Sequence, residues 1–520
     1  MLKIPSEESH PVFFARKLLT LALLLQNSNA VVTQYLSSRL ETTQQTLMTN
    51  ALDTATRTVV SNDTLVSSVE GIECIMMESR FYNNVGNLRR SYLTMRRALV
   101  TAQMLGLDRG VGSSLINYLD SHTRQRISPS HMWLCIMQSD RYLSLMLGLP
   151  PGSFDDAFIL PKAMQDYTPM EGLERSITFA AGRILQRKRS DILDIRITRE
   201  VDQLLLDSAS LLPPQWWLKP KPSTNKCNEI DSLHDTIRIM NQFAYFHLVQ
   251  RLHLPYLLHQ TSDRKYDYNK LTAITASREL LSRYVAFCCS QPEKGSLCRG
   301  VEFLGFIAST TLCLGHIDTR LQRDYQSEDE PYSSGDMLFG CLAHQRLGDR
   351  AMMEQMLKSM ESVARTRPGD LIAPQIAQLL EQLLAIESDV AKGVRYERSL
   401  QHECEEEELT CNGKLSDGGD ALSIFISHIG TIKFERDGIR RVTMDMEMMA
   451  DHELLDQNNG EQQAESTMGM NEDVVADFSG ENGQHLGWSD PIFGTEGDWT
   501  LQGVDLTFFD TLFPTGDNSR

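Results

Sequence analysis

From about residue 10 to residue 400, apolar positions recur every three or four residues, with no sustained two-residue alternation and no hairpin turns between β-branched runs. The pattern predicts an all-α fold, a large multi-helix domain. In LRRSYLTMRRALVTAQMLGLDRG (88–110), Leu88, Tyr92, Met95, Leu99 and Ala102 form one stripe at steps of four and three, and Gly106 supplies a stop. Arg89, Arg90, Arg96 and Arg97 lie off that stripe and need other partners.

A second helix is expected from about Ser130 to Leu147, closed by Gly148 and Pro150-Pro151. Its inward stripe holds Trp133, Ile136, Met137, Leu143, Ser144 and Leu147, and Asp140 falls in it, seven residues from both Trp133 and Leu147. A carboxylate there must be paired or it costs several kcal/mol, roughly, in desolvation. Arginines of the 88–102 helix, Arg96 and Arg97 foremost, are the natural partners because a guanidinium can offer a carboxylate two parallel hydrogen bonds. The pair reads as structural, against a ligand-sensing or catalytic carboxylate.

A further helix, IRIMNQFAYFHLVQRLHLPYLL (237–258), is expected to end or kink at Pro255. His247, His253 and His259 recur every six residues, so no two share a face as an i, i+4 metal pair would. In LIAPQIAQLLEQLLAIESDVAKGV (371–394), Ile372, Ile376, Leu379, Leu383, Ile386 and Val390 keep a strict four-three spacing, a short heptad seam. Such a seam either packs on the domain's own body or pairs with a second subunit.

Beyond residue 400 the pattern breaks. ECEEEEL (403–409) reads as a solvated acidic linker within 401–455, and residues 421–449 have a strand-like local pattern. From Asp456 onward thirteen acidic residues face a single basic one, Arg520, so this tail carries −12 of the chain's formal −19. Seven aromatics are interleaved, Trp499, Phe508, Phe509 and Phe513 among them. Acidic residues alternating with bulky apolar ones mark a disordered activation segment over 456–520. If Leu506–Phe513 turns helical on contact, Phe508, Phe509, Leu512 and Phe513 fall within about 140° of one face.

Charge changes the functional picture. A net −19 repels phosphate backbones, and the one basic run, QRKR (186–189), is weak as a nuclear address, so specific DNA binding by this chain alone is not expected. Ten scattered cysteines with no C-x-x-C read as reduced intracellular residues, and no metal or other cofactor is expected. The N-terminal RKLLTLALLLQ resembles a signal peptide but has the spacing of an amphipathic helix, and no apolar run approaches the roughly 20 residues a membrane span needs. No nucleophile elbow, P-loop, dinucleotide fingerprint or zinc-protease motif occurs. His234-Asp235 and Asp155-Asp156 are dipeptides that neither a metal phosphohydrolase nor a terpene synthase could use alone, so the chain reads as a non-enzyme.

GIECIMMESRFYNNVGNLRRSYLTMRRALVTAQMLGLDR (71–109), Trp133 and SDRYLSLMLGLPPG (139–152) together resemble the middle homology region of fungal binuclear zinc-cluster transcription factors. PVFFARKLLTLALLLQ (11–26), FHLVQRLHLPYLL (246–258) and YDYNKLTAITASRELLSRYVAF (266–287) are similar to its flanking parts, and the resemblance covers roughly residues 10–320. It implies an all-α regulatory domain over 1–400, a nuclear location, a tail that recruits coactivators, and a transcription regulator of a metabolic gene cluster. The family's six-cysteine zinc module has no counterpart here, so zinc would be expected only with such a module, and DNA would be reached through it or indirectly. The alternative is a non-catalytic inhibitor or scaffold that dimerises with a full-length relative. As an activator the chain could equally form a homodimer or a heterodimer with a related factor.

Overall fold

The structure, a computed structural model, describes residues 4–26, 38, 43–109, 115–156, 167–219, 229–259, 264–290, 299–325, 334–366, 370, 372–401, 421–426 and 429–436. Among them are thirteen α-helices: α1 (Pro11–Gln26), α2 (Gln44–Ala55), α3 (Val69–Val85), α4 (Leu88–Met104), α5 (Ser121–Arg126), α6 (Pro129–Leu147), α7 (Pro169–Leu185), α8 (Ile195–Ser210), α9 (Glu229–Leu258), α10 (Asp267–Ser290), α11 (Arg299–Tyr325), α12 (Ser334–Thr366) and α13 (Ile372–Ala391). The fold is all-α with one small sheet of β1 (Tyr396–Gln401), β2 (Ala421–Ile426) and β3 (Gly430–Arg436).

Local chemistry sets the helix ends. Gly86 closes α3 at φ 89°, and the next residue, Asn87, caps α4 by accepting from the Arg90 N–H at 3.0 Å. Two residues thus turn one long apolar pattern into an antiparallel pair. α6 begins with Pro129 in its first turn and ends at Gly148, φ 73°. A capping box between Thr168 and Glu171 starts α7.

Sequential helices pack against one another, α1 on α2 and α3, α3 on α4, α4 on α6, α6 on α7 and α7 on α8, followed by α9 on α10, α10 on α11 and α12 on α13. Most of the apolar stripes merge into one core that runs from Val12 in α1 to Phe434 in β3. A second, smaller core lies under α7 and α8, where Leu173, Ile177, Val201 and Leu205 meet Tyr245, Leu248 and Leu252 of α9. Trp217, in a short 3-10 turn, closes it edge-on to Tyr245 and Phe246 at 5.0 and 5.9 Å.

α11 departs from the sequence expectation about membranes. Arg299–Asp318 is long and apolar enough to cross a bilayer by length and composition, yet it is wholly buried inside the protein. Its three consecutive hydroxyls, Ser309, Thr310 and Thr311, each donate to the carbonyl four residues back at 2.9–3.1 Å, which lets them sit in apolar surroundings.

The signal-like N-terminal run is α1, with Val12, Ala15, Leu19, Ala22 and Leu25 in the core. Pro255 does not end α9, which continues through Leu258. The three strands are antiparallel in the order β1-β3-β2, Ile424 facing Ile432 and Leu422 facing Phe434. Those four side chains belong to the main core, so the compact unit continues to Arg436. Residues 437–449 of the strand-like stretch lie outside the described residues.

Candidate functional site

Asp140 and Arg141 are adjacent on α6, about 100° apart around the helix, and both side chains are fully buried. The chain leaves α6 at Gly148 and doubles back, so residues 150–156 pass over this pair. Asp140 holds the returning segment from one side. Its Oδ2 accepts from the Gly152 N–H at 2.7 Å, and its Oδ1 lies 3.1 Å from Nε of Arg96 on α4. Arg96 and Tyr92 both donate to the Pro150 carbonyl, the tyrosine at 2.9 Å, and Ser144 reaches the same oxygen at 3.3 Å.

Arg141 holds the other side. Its guanidinium donates to the Thr178 carbonyl on α7 at 2.8 Å, to the Asp155 carbonyl at 2.9 Å and to the Asp156 carboxylate at 3.0 Å. The Trp133 indole N–H donates to the Asp155 carboxylate at 3.2 Å. The two residues therefore clamp one loop to three helices, α4, α6 and α7.

Two glycines make room for this clasp. A Cβ on Gly152 would come within 2.1 Å of the Arg96 guanidinium, and one on Gly182 of α7 within 2.5 Å of that of Arg141. Burial pushes the Asp140 carboxyl up, and the Gly152 N–H, Arg96 and Arg141 only partly offset it. Burial likewise lowers Arg141 against the opposing pull of Asp156. Desolvation is the larger effect for both groups, so the clasp fixes geometry more than it adds net stability.

Arg97, grouped with Arg96 in the sequence reading, is not a partner of Asp140. It turns the other way and binds Asp63 at 2.8 Å and the Val60 carbonyl, because residue 97 lies about 100° further round the helix. Arg141 was missed from the sequence. The signal was present in an arginine inside an apolar helix, a glycine stop, and two aspartates one loop later. Asp155-Asp156 serve Trp133 and Arg141.

A second buried constellation joins α8, α9 and α10. Nε2 of His253 lies 3.3 Å from the Asp202 carboxylate and Nδ1 lies 2.9 Å from Asn269 Oδ1, while the Tyr268 hydroxyl donates to Asp202 at 2.6 Å. Burial raises the Asp202 carboxyl, but the hydrogen bonds from His253 and Tyr268 bring it below its ordinary value. Both imidazole nitrogens face internal partners, which leaves none to act as a base on a substrate. His247 is buried beside Arg251; burial first, then that charge, holds it neutral, down to about 3. His259, by contrast, is exposed.

A third constellation ties α10, α11 and α12. Arg278 grips Asp349 with two bonds of 2.7 and 2.8 Å, and His316 meets the same carboxylate at 2.9 Å. Asp235 pairs with Arg238 at 3.0 Å and His234 is exposed. No cluster of three or more potential metal ligands occurs among the described residues.

The heptad seam of α13 is occupied within the chain. Ile372, Ile376, Leu383, Ile386 and Val390 are buried and Leu379 is half-buried, packed with α11 and α12. The stripe therefore faces this molecule's own core. The activation residues Trp499, Phe508, Phe509, Leu512 and Phe513 lie outside the described residues. In QRKR, Arg187 is engaged with the Asp191 and Ile192 carbonyls and Thr198 rather than free.

Comparison with known proteins gives a consistent set. The chain is 33% identical over 440 residues to the dehydrocurvularin biosynthesis regulator of Alternaria cinerariae, covering 84% of this chain and 55% of the relative. It is 34% identical over 441 residues to the protein of the same name from Aspergillus terreus, covering 84% and 58%. It is 32% identical over 438 residues to transcription factor sdnS of Sordaria araneosa, covering 83% and 52%. No family model matches, and no solved structure matches. The chain spans just over half the length of these curated relatives. Over most of its own length, it is homologous to fungal proteins named as transcription factors and regulators of biosynthesis.

Proposed function

We propose that this chain is a nuclear regulator of transcription in a fungal secondary-metabolite gene cluster, acting through protein contacts made by its helical body and by an acidic, aromatic C-terminal tail. The observation that carries the reading is identity of 32–34% to named regulators across more than four-fifths of the chain. Burial of the body's polar constellations supports it, because ion pairs such as Arg278–Asp349 consume charges that a reaction would need.

In this reading residues 456–520 recruit coactivators. Phe508, Phe509, Leu512 and Phe513 present one apolar face to a groove, a weak helix-in-groove contact with Kd on the order of micromolar to millimolar. Trp499 adds a further aromatic contact. Contact with DNA comes through a zinc-cluster module or through a partner.

The test fuses residues 456–520 to an unrelated DNA-binding module and reads a reporter. Activation is expected, and Phe508, Phe509 and Phe513 changed together to Ala should abolish it at equal protein abundance. In parallel, disruption of the gene in its host should lower the transcripts of one biosynthetic cluster. A rise in those transcripts would instead favour an inhibitor or scaffold that dimerises with a full-length relative.

A further inference from the structure

Of the chain's 18 prolines, two follow a serine or threonine, in Ser128-Pro129 and Thr168-Pro169. Both hydroxyl residues are exposed, and each stands just ahead of a helix, Ser128 at the start of α6 and Thr168 at that of α7. Their hydroxyls are not equivalent. Thr168 closes a capping box, its Oγ1 accepting from the Glu171 N–H at 3.4 Å and donating to the Glu171 carboxylate at 3.0 Å. Ser128 makes no side-chain capping bond, and its Oγ lies 3.1 Å from the hydroxyl of Ser130.

Proline disfavours the helical conformation in the residue before it, so Ser128 is extended at φ −77° and ψ 126°. Ile127 before it is extended too, at −113° and 114°. A hydroxyl on extended backbone is what a protein kinase takes into its cleft. Opening the turn that follows releases few bonds, because Pro129 has no N–H and the Ser128 carbonyl accepts from the Met132 N–H alone in the first turn, at 2.9 Å. Arg124 and Arg126, four and two residues upstream, are exposed on the last turn of α5.

We propose that Ser128 is a phosphorylation site for a proline-directed serine/threonine kinase. The Ser128 Oγ attacks the γ-phosphorus of ATP, the bond from that phosphorus to the β,γ-bridging oxygen breaks, ADP leaves, and the hydroxyl proton passes to the kinase's base. The product carries about −1.5 to −2 of charge at pH 7. That charge forms beside the first turn of a 19-residue helix, where the Ser130 and His131 N–H groups precede the first intrahelical bond. Arg126 grips Glu73 with two bonds of 2.8 and 2.7 Å, and Arg16 holds the same carboxylate at 3.2 Å. Arg126 can therefore turn to the phosphate without leaving Glu73 alone.

At Thr168 the same group would meet the Glu171 carboxylate and break the capping box, so charge and hydrogen bonding both select Ser128. The modification adds order to the body. It ties down the first turn of the helix that carries Asp140 and Arg141 further along.

The test incubates the purified full chain with Mg-ATP and an active mitogen-activated protein kinase and maps phosphate by mass spectrometry. Ser128 should be filled severalfold beyond Thr168. Ser128→Ala should abolish that signal without moving the melting temperature, since the hydroxyl caps nothing, and Pro129→Ala, which keeps the hydroxyl, should reduce it severalfold. In the phosphorylated chain, amide exchange at Ser130 and His131 should slow severalfold. The chain recovered from its fungal host should carry the same phosphate. No phosphate at Ser128 in either preparation, equal or greater occupancy at Thr168, or undiminished labelling of the Pro129→Ala chain overturns the site. Unchanged or faster exchange at Ser130 and His131 overturns the capture of the phosphate by the helix end.

Discussion

Replacing Asp140 separates two explanations of the clasp. Asp140→Ala removes the acceptor for the Gly152 N–H, which then sits buried and unpaired at a cost of about 1–3 kcal/mol. It also deprives Arg96 of its carboxylate, but that side chain is 23% exposed and can recover water. The expected loss is about 2–3 kcal/mol, below the roughly 3–5 kcal/mol typical of breaking a pair in which both members are sealed. For a protein of this size the melting temperature should fall by roughly 2–3 °C. Asp140→Asn should behave differently. Its amide oxygen still accepts from Gly152, and burial raises the Asp140 carboxyl, so the ionised form is the costly one. Asn should therefore stay within about 1 kcal/mol of the parent at neutral pH. The sign for pH follows: a raised folded-state value contributes stability that is fully present below the unfolded value, about 3.9, and is lost as pH rises through the folded one. Acidification should thus shift the comparison toward the parent. Thermal melts of the two variants across pH check this. If Asn proves as harmful as Ala at pH 7, attraction to Arg96 outweighs desolvation and the argument is wrong.

Gly182→Ala should destabilise by about 1–3 kcal/mol, because its Cβ would stand 2.5 Å from a guanidinium that three carbonyl and carboxylate groups hold in place; chemical denaturation measures it. Leu383→Ala, at a fully buried position of the α13 seam, should cost about 2–5 kcal/mol and leave the oligomeric state unchanged, read by denaturation and light scattering. Asp349 supplies the opposite pH case. Although burial raises its carboxyl, the hydrogen bonds and charges of Arg278 and His316 bring it below the ordinary value. The stability it contributes is present above about pH 3.9 and lost as pH falls through its depressed folded-state value, so Asp349→Asn should flatten the acid limb of the stability curve.

How much of this was legible in the sequence depended on how locally each feature was encoded. Pro129 and Gly148 punctuate α6, and their meaning does not depend on the rest of the chain, so its limits could be read within one residue. Pro255 allowed either a stop or a kink, and the sequence could not choose between them; α9 runs on to Leu258, so the stop is excluded. The need for a partner at Asp140 was visible from its stripe. The choice between Arg96 and Arg97 was not, since it turns on which side of α4 meets α6. Arg278 and Asp349 are 71 residues apart and Asp202 and Tyr268 are 66 apart, so no spacing rule could have joined them. The same limit applies to β3, whose Phe434 looks like an isolated aromatic until the helical core is there to receive it.

These long-range polar contacts share a property that bears on regulation. Each ties helices from different parts of the chain, α4 to α6, α8 to α9 and α10, α10 to α11 and α12, and each is formed where desolvation consumes much of the Coulomb gain. Apolar side chains of similar volume could hold the helices together as strongly, but they would tolerate sliding by a turn or repacking. A carboxylate that must meet one N–H and one guanidinium tolerates neither. The clasp at residues 150–156 thereby fixes α4 against α6 and α7 in one register. Asp140→Ala should therefore speed amide hydrogen exchange at Gly152 and over residues 150–156 at temperatures well below unfolding, while exchange in α13, which the clasp does not touch, stays as in the parent. Unchanged exchange over residues 150–156 in that variant would show that the loop keeps its register without the clasp.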